Sequence, residues 1–426
     1  MITVTVFLVS LLGAMAIGVP IAFALLVSGI ALMIQLGAFD PRIIAESMIN
    51  GADSFPLMAV PFFMLAGELM NAGGLSRRIV TLALALVGHK RGGLGYVAIF
   101  AAIMMASLSG SAVADAAALS AILIPMMREA GYNLPRACGL MAAGGIIAPV
   151  IPPSIGFIIF GVAAGVSITK LFLAGIVPGI LMGLSLVFAW WWVIRGEDVK
   201  TQPRRTLRDV RAALVDGVWA LILPVIIVGG LKFGIFTPTE AAVVAVVYAL
   251  LVGMFVYREI HLRDLFRLFS SAAKTSAAVM FLVAAAFVSA WLVTIANIPE
   301  HMGEALKPFA HDKTLLMFAV MVLVLLIGTA LDFVPTVLIM TPVLMPVIKQ
   351  AGIDPVYFGV LFIMANAIGL ITPPVGVVLN VVGAVAGVSV SETTRGVWPF
   401  LVAQTLVLLL LIFVPQIVTV PLSWLH

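Results

Sequence analysis

Two stretches, APVIPPS at residues 148–154 and ITPPVG at residues 371–376, place adjacent prolines inside long apolar segments. A Pro-Pro pair removes two backbone N–H donors and prevents an α-helix from continuing, so each stretch predicts a broken helix. In hydrocarbon, backbone groups without partners cost several kcal/mol each, and irregular backbone is tolerated only where it is buried in protein or lines a cavity. Both stretches therefore indicate functional breaks in membrane helices.

The composition of the 426-residue chain is typical of a protein that lies in a lipid bilayer. Apolar residues make up 63% of it and charged residues 10%, whereas soluble domains carry about 25% charged residues. Apolar segments recur from end to end, which predicts an all-α polytopic membrane protein with lipid around it and no nucleic acid as a partner. The apolar N-terminal segment lacks a basic flank and is expected to be a retained helix, not a signal peptide.

The sequence carries no signature of a common enzyme class. HExxH and GxxxxGK[ST] do not occur, and the single Cys138 excludes an internal disulfide or a cysteine-based metal site. The chain is therefore predicted not to be an enzyme.

The sequence also repeats itself at an offset of 221 residues. IPMMREAG at 124–131 corresponds to MPVIKQAG at 345–352, and the two Pro-Pro pairs keep the same offset. Upstream, Ser109-Gly110-Ser111 corresponds loosely to Gly328-Thr329, each followed by an aspartate. Each half is therefore predicted to contain a hairpin with a polar tip and then a broken helix.

The repeat predicts two halves of similar plan. The first, residues 1–216, has scaffold helices in 1–72, a hairpin at 93–127 and a broken helix at 136–166. The second, residues 217–426, has scaffold helices in 217–257, a hairpin at 314–348 and a broken helix at 355–386. Amphipathic stretches at 207–214 and 260–269 suit the membrane interface.

Length and charge predict how the halves are oriented. Residues 93–107 would extend roughly 22 Å as a helix, short of a hydrocarbon core about 30 Å thick, so the hairpins are predicted to be re-entrant. If the first opens inward and the second outward, 17 of the 23 Lys and Arg residues are cytoplasmic. The halves are then inverted repeats, both termini are periplasmic, and the binding site lies near the midplane, as in secondary transporters.

Oxygen atoms at the tips and breaks are hard ligands suited to an alkali cation. The predicted cation ligands are Ser109, Gly110, Ser111, Asp115, Ala148, Pro149, Pro152, Gly328, Thr329, Asp332, Gly369 and Thr372. Helix N-termini after Ser111 and Thr329 would offer N–H groups to an anion in the same space. The residues predicted to contact that substrate are Pro153, Ser154, Asn366, Pro373, Pro374 and Asn380, of which Ser154 and Asn366 also border the cation sites.

Several of these residues have a structural alternative. Asp115 and Asp332 are intramembrane acids, which are functional candidates by default, but each could instead cap a helix or brace its hairpin tip. Asn380 could contact substrate or only pack. Glu68 and Glu240 lie near segment ends, where structural or interfacial roles are favoured.

Five stretches of the sequence resemble a known family. LSGSAVADAAALSAILIPMM (108–127), APVIPPS, FTPTEAA (236–242), GTALD (328–332) and ITPPVG are similar to the large membrane subunit of tripartite ATP-independent periplasmic (TRAP) transporters, and the resemblance covers essentially the whole chain. It implies a multi-pass inner-membrane protein that works with a small four-helix membrane subunit and a periplasmic substrate-binding protein. It further implies Na⁺-coupled import of a C4-dicarboxylate, sialic acid or another carboxylate by an elevator movement, with sodium sites at the tips and breaks.

Two other classes compete with transport. An intramembrane aspartyl protease would need its two acids facing each other, typically with a GxGD motif, which this sequence lacks. A passive channel would need a ring-forming filter, and no such motif is present. Both fit the sequence less well than a cation-coupled importer.

Overall fold

The computed structural model describes residues 2–197, 199–306, 309 and 312–425, so the outer bounds of the predicted halves, Met1 and His426, lie outside the described residues. This part of the chain is α-helical nearly throughout. The helices of the first half are α1 (Ile2–Ala16), α2 (Ile21–Gln35), α3 (Pro41–Ala52), α4 (Ala59–Ala72), α5 (Leu75–Val87), α6 (Gly93–Ser109), α7 (Ala112–Glu129), α8 (Leu134–Gly145), α9 (Ile155–Ala164) and α10 (Ile168–Ile194). Those of the second half are α11 (Leu207–Lys232), α12 (Pro238–Leu251), α13 (Leu262–Ile295), α14 (Ile298–Leu306), α15 (Lys313–Gly328), α16 (Phe333–Gln350), α17 (Pro355–Gly369), α18 (Val377–Ala386), α19 (Val390–Phe413) and α20 (Gln416–Leu425).

Polar caps set where several of these helices begin. At the start of α12, the Thr237 side chain accepts a hydrogen bond from the Glu240 N–H while the Glu240 carboxylate accepts one from the Thr237 N–H. Ser389 and Glu392 repeat this capping box at α19. Capping satisfies N–H groups that a helix start leaves without partners. The structural role predicted for Glu240 is confirmed.

Both predicted hairpins are present as pairs of helices joined by a short turn. Gly110, in the left-handed region at φ +63°, joins α6 to α7, and residues 329–332 join α15 to α16. The first arms have 17 and 16 residues, or roughly 25 Å each at 1.5 Å per residue. They are therefore shorter than the hydrocarbon core is thick.

Both predicted breaks are also present. The first lies between α8, which ends at Gly145, and α9, which begins at Ile155. The second lies between α17, which ends at Gly369, and α18, which begins at Val377. The Pro152-Pro153 and Pro373-Pro374 bonds are both cis. The sequence therefore predicted the position of each break to within a few residues.

The hairpins pack across the two halves. α7 lies against α8 of its own half and α18 of the other, and α16 lies against α17 and α9 in the same way. Arg128, in the last turn of α7, donates from Nη2 to the Ala386 carbonyl oxygen at the end of α18, at 2.6 Å. The hairpins and broken helices thus form one interlocked body, while the inversion of the halves relative to a bilayer stays a prediction.

Among the described residues, seven helical segments are long and apolar enough to cross a membrane: 55–72, 168–194, 207–232, 238–256, 262–295, 333–350 and 390–413. Two of these segments, 207–232 and 262–295, differ from the sequence prediction. The stretches 207–214 and 260–269 are not separate interfacial helices, because no breaker separates them from the apolar residues that follow, and they continue into α11 and α13. Helix α3 was not predicted, although Asp40 caps it and Pro41 occupies its first position.

Candidate functional site

A cavity of about 360 Å³ lies where the hairpin tips meet the breaks. One wall is formed by residues predicted for the site or adjacent to it: Ser109, Gly110, Ser111, Pro149, Asp332, Phe333 and Leu370. The opposite wall is formed by α4 and α13, through Met64, Gly67, Glu68, Asn71, Thr275 and Val279. The cavity therefore separates the hairpin-bearing body from two helices outside it.

The first hairpin tip is organised around a buried carboxylate. The Ser109 hydroxyl donates to Asp115 Oδ1 at 2.5 Å and accepts from the Ser111 N–H at 3.1 Å. Asp115 is 2% exposed, and its Oδ2 has no hydrogen-bond partner in the described part of the chain. A buried carboxylate oxygen without a partner is costly. An oxygen in that state is available to a cation.

The first break lies directly against this tip. A Cβ added to Gly110 would lie 2.8 Å from the Pro153 carbonyl oxygen and 3.3 Å from Ser154 Cα. Ser154 caps α9 by accepting from the Phe157 N–H at 3.2 Å, and its hydroxyl donates to the Pro149 carbonyl oxygen at 2.5 Å. The sequence elements 109–115 and 148–154, which are about forty residues apart, are thus brought together as predicted.

The second tip and break also meet. A Cβ on Gly328 would lie 3.0 Å from Asn366 Oδ1, and one on Gly369 would lie 2.7 Å from the Gly328 carbonyl carbon. Asn366 donates from Nδ2 to the Phe333 carbonyl oxygen at 2.9 Å, whereas its buried Oδ1 has no partner among the described residues. Here too an oxygen without a partner faces a polar turn.

Hydroxyl groups near the second tip are already bonded to backbone. Thr329 Oγ1 donates to the Leu326 carbonyl oxygen, and Thr372 Oγ1 donates to the Ile368 carbonyl oxygen, both at 2.8 Å. A hydroxyl oxygen that donates keeps lone pairs that can coordinate a cation. Their assignment as cation ligands stays a prediction.

The two predicted acids differ in position. Asp115 is buried within its hairpin, whereas Asp332 is exposed, caps α16 by accepting from the Phe333 N–H at 2.7 Å, and lines the cavity. Asp332 therefore caps its helix, while its assignment as a cation ligand stays a prediction.

None of the six predicted substrate residues is among the described residues that line this cavity. Pro153, Ser154 and Asn366 are buried at the two breaks. Pro373 is half-buried and Pro374 is exposed. Asn380 donates to the Val375 carbonyl oxygen at 2.9 Å, within its own half of the broken helix. Pro152 and Ala148 are buried in the first break behind Pro149. Contact of these residues with ligand stays a prediction.

The sequence prediction missed the wall opposite the hairpins. Glu68 was expected to have a structural or interfacial role, but it lines the cavity and accepts a hydrogen bond from the Ser271 hydroxyl at 3.2 Å. Asn71 and Thr275 lie beside it. An acid within a membrane segment was the available signal. This signal applies to Glu68 as well as to Asp115. The position of Glu68 near a segment end favours a structural or interfacial role in the sequence prediction.

The charge of the cavity is unusual for an anion site. Its charged lining residues, in the described part of the chain, are Glu68 and Asp332, and no Lys, Arg or His lines it. Two N-termini, those of α7 and α16, lie at the wall through residues 111–114 and 332–334. Within the described lining, backbone dipoles at these N-termini are therefore the source of positive potential.

The sequence matches the model of the family described as tripartite ATP-independent periplasmic transporter, DctM component, over residues 8–417. The chain belongs to this family. It is therefore the large permease subunit of a TRAP transporter, a secondary transporter and not an enzyme. Membership and the apolar helices make it a multi-pass inner-membrane protein, and they imply a small membrane subunit and a periplasmic binding protein as partners.

Named relatives of the DctM family align with nearly the whole chain. The 2,3-diketo-L-gulonate TRAP transporter large permease protein YiaN of Escherichia coli is 54% identical, with 99% of this chain and all of that protein covered. The sialic acid TRAP transporter large permease protein SiaM of Vibrio cholerae is 38% identical, with 95% of each chain covered. Relatives with different named substrates thus share this architecture.

A solved structure has the same fold. The crystal structure of the Alcanivorax borkumensis YdaH transporter aligns with a TM-score of 0.61 over 87% of each chain, at 16% identity. At that identity the likeness concerns the fold alone. It agrees with the predicted all-α fold.

Proposed function

We propose that this DctM-family permease imports a hydroxylated or keto monocarboxylate, of the sugar-acid class, together with Na⁺. The observation that carries the proposal is the cavity whose charged lining is acidic although its cargo is an anion. Two like charges about 5 Å apart interact by about 3 kcal/mol at an effective dielectric constant near 20. A sodium ion at the tips would offset that repulsion, which makes entry of the anion dependent on the cation.

Asp115 Oδ2 and Asn366 Oδ1 support one cation position in each half. Each is a buried oxygen without a partner in the described residues, and each lies beside a hairpin tip. In the first, the Ser109 hydroxyl and the carbonyl groups of the 148–152 break complete a set of hard ligands. In the second, the carbonyl groups near Gly328 and Gly369 play that part. We infer that the cargo anion occupies the cavity between these positions, near the N-termini of α7 and α16.

The acidic wall favours a substrate with one carboxylate. A C4-dicarboxylate would bring a second negative charge towards Glu68 or Asp332, and the described lining of the cavity offers no basic side chain to compensate it. Hydroxyl groups, in contrast, can donate to the Glu68 carboxylate and to the side chains of Asn71 and Thr275. The 54% identical relative named for 2,3-diketo-L-gulonate supports the same class.

The position of the cavity also supports an elevator movement. The interlocked hairpins and broken helices form one wall, and α4 and α13 form the other. Sliding of the first body along the second would carry the cavity across the bilayer and would require few changes inside either body.

The test is uptake by proteoliposomes that contain this chain with its small subunit and its binding protein. An inward Na⁺ gradient is expected to accumulate hexonate-type acids above equilibrium and to leave succinate outside. Uptake that needs no ion gradient and never exceeds equilibrium would favour a passive channel. Accumulation of succinate in preference to sugar acids would contradict the substrate class and leave Na⁺ coupling in place.

A single variant sharpens the assignment of substrate class. Glu68→Gln removes one negative charge from the cavity wall, so succinate uptake is expected to rise about three- to tenfold relative to sugar-acid uptake. Glu46→Gln is the matched control, because Glu46 lies exposed on α3 and does not line the cavity. Equal succinate uptake in both variants would show that Glu68 does not select between substrates.

A further inference from the structure

A second cavity, separate from the transport site, lies on the outer face of the hairpin-bearing body. It is a groove of about 750 Å³ between α6 and α10, closed at one end by the connection from α5 to α6. Its sides are apolar and aromatic, including Tyr96, Phe100 and Phe188. Phe188 is 65% exposed and Leu184 is 56% exposed. In a membrane protein such side chains face lipid or another subunit.

One end of this groove is cationic. Lys90 and Arg91 line it, and Arg195 stacks over the Trp191 ring, with its guanidinium carbon 3.4 Å from the ring centroid. Within the described residues, none of these three cations forms a salt bridge. Arg91 donates only to the backbone carbonyl oxygens of Arg195 and Glu197, at 3.1 and 3.0 Å, so its charge remains uncompensated.

Among the described residues, the Glu197 carboxylate next to the Arg91 contact is paired with another cation. It accepts from Arg136 Nη1 at 2.5 Å. The groove therefore presents excess positive charge at its closed end. An occupant with a negative group at this end and an apolar body beyond it would match both features.

The groove also has the depth expected for a lipid. Trp191 and Trp192 stand in the last turn of α10 with Arg195 after it, a pattern typical of the membrane interface. From Trp191 to Leu184 is about two helical turns, or roughly 10 Å, compared with roughly 15 Å for the hydrocarbon half of a bilayer. The cations thus lie at headgroup level and the apolar walls at acyl-chain level.

We propose that this groove binds one anionic phospholipid. Its phosphate contacts Lys90 and Arg91, and an acyl chain lies along Phe100, Phe188 and Leu184. A transmembrane helix from another subunit would cover the apolar walls but would leave the cations without partners unless it carried acids at that depth. Because α6 is an arm of the first hairpin and α10 packs against α6, α9 and α17 of the hairpin-bearing body, the lipid would accompany that body in the proposed elevator movement.

The first test uses the complex with its small subunit in detergent and counts bound lipid by native mass spectrometry. Phosphatidylglycerol and phosphatidylethanolamine with the same acyl chains are the probes. We expect one phosphatidylglycerol to be retained at least tenfold better than phosphatidylethanolamine. The double variant Lys90→Gln with Arg91→Gln is expected to lose that preference. Arg204→Gln with Arg205→Gln is the matched control, since both residues are exposed and outside the groove, and it is expected to keep the preference.

Equal loss of the preference for phosphatidylglycerol in both double variants would show that general electrostatic attraction causes it. Unchanged binding in the Lys90 and Arg91 variant would show that these residues do not form the site. Either result overturns the proposal. The second test places a benzophenone side chain at position 188 in the assembled complex in membranes. A photoproduct with phospholipid supports the proposal, and a photoproduct with the small subunit overturns it. Sugar-acid uptake by each variant serves as the check of folding.

Discussion

The two tip-and-break pairs share a sequence plan but differ in the charge they present. At the first tip, among the described residues, a buried oxygen without a partner belongs to a carboxylate on the hairpin, Asp115. At the second it belongs to an amide on the broken helix, Asn366. The residue that corresponds to Asn366 in the first half is Gly145, and a Cβ there would lie 2.6 Å from that of Ala116. Repeats can therefore keep a geometry while moving the ligand from one element to the other.

This difference has a consequence for cation binding. A carboxylate neutralises a monovalent cation, whereas an amide oxygen solvates it without cancelling its charge. The first position is therefore expected to bind Na⁺ more tightly than the second, so that it fills first as the cation concentration rises.

The largest effect is expected from Asp115→Asn. A carboxylate about 4 Å from a cation contributes about 4 kcal/mol at an effective dielectric constant near 20, and loss of part of it should raise the Na⁺ concentration for half-maximal uptake at least tenfold. Uptake by proteoliposomes over a range of Na⁺ concentrations measures this. Asp332→Asn is the matched comparison, because Asp332 caps α16 at the exposed cavity wall. An equal or larger shift in the Asp332 variant would reverse the order of the two halves.

The next effect is expected from Gly110→Ala, which tests whether the first tip must lie against its break. A left-handed backbone costs a residue with a side chain roughly 1–2 kcal/mol, and the new Cβ would also lie 2.8 Å from the Pro153 carbonyl oxygen. We expect transport to slow roughly five- to tenfold. Gly131→Ala is the control, since Gly131 has φ +81° but no atom within 4 Å of an added Cβ. Similar slowing in both variants would attribute the effect to backbone conformation alone.

A smaller effect, with opposite sign, is expected from Asn366→Asp. This change gives the second half a carboxylate like that of the first, so the Na⁺ requirement of uptake should fall about three- to tenfold. Asn380→Asp places the same charge on α18, away from the cavity, and should leave the requirement unchanged. A raised Na⁺ requirement in the Asn366 variant would show that the second position does not hold the cation.

The smallest effect is expected from Ser154→Ala, which removes a feature that only the first break has. Ser154 both caps α9 and donates to the Pro149 carbonyl oxygen, whereas the N-cap residue of α18 is Gly376, which forms no side-chain cap. Loss of a cap costs about 1 kcal/mol, which for a chain of this size lowers the melting temperature by about 2 °C or less. Thermal unfolding of the purified complex measures this, with Ser167→Ala, an exposed cap of α10, as the reference. A larger fall for Ser167 would mean that the Pro149 contact adds nothing.

The sequence predicted the parts of the molecule that local chemistry controls. Pro-Pro pairs break helices wherever they occur, and the glycine and serine residues at 109–111 form a turn, so both hairpins and both breaks were found within a few residues. The close approach of Gly110 to Pro153, and of Gly328 to Gly369, followed from the repeat. The sequence does not predict the continuity of α11 and α13, because their composition changes from polar to apolar while each helix continues through the change.

The sequence does not predict which helix faces contact each other in the folded protein. Glu68 and Thr275 lie about two hundred residues apart on α4 and α13, and only tertiary packing brings both to the cavity wall. Pro373, Pro374 and Asn380 were grouped with the substrate because they follow the second break, but the cavity lies on the other side of that break, at Leu370. Position along the chain does not encode the direction in which a broken helix turns.

The packing of α7 against α18 also constrains how the chain is made. The helix that completes the first hairpin's surroundings is synthesised roughly 260 residues after it, which at about 5–20 residues per second is tens of seconds of translation. During that interval the Arg128 side chain lies in the membrane or at its surface without its final partner, the Ala386 carbonyl oxygen. Final packing of the first hairpin is therefore expected only after α18 has been synthesised, and a ribosome stalled before α18 is expected to leave the first half incompletely packed.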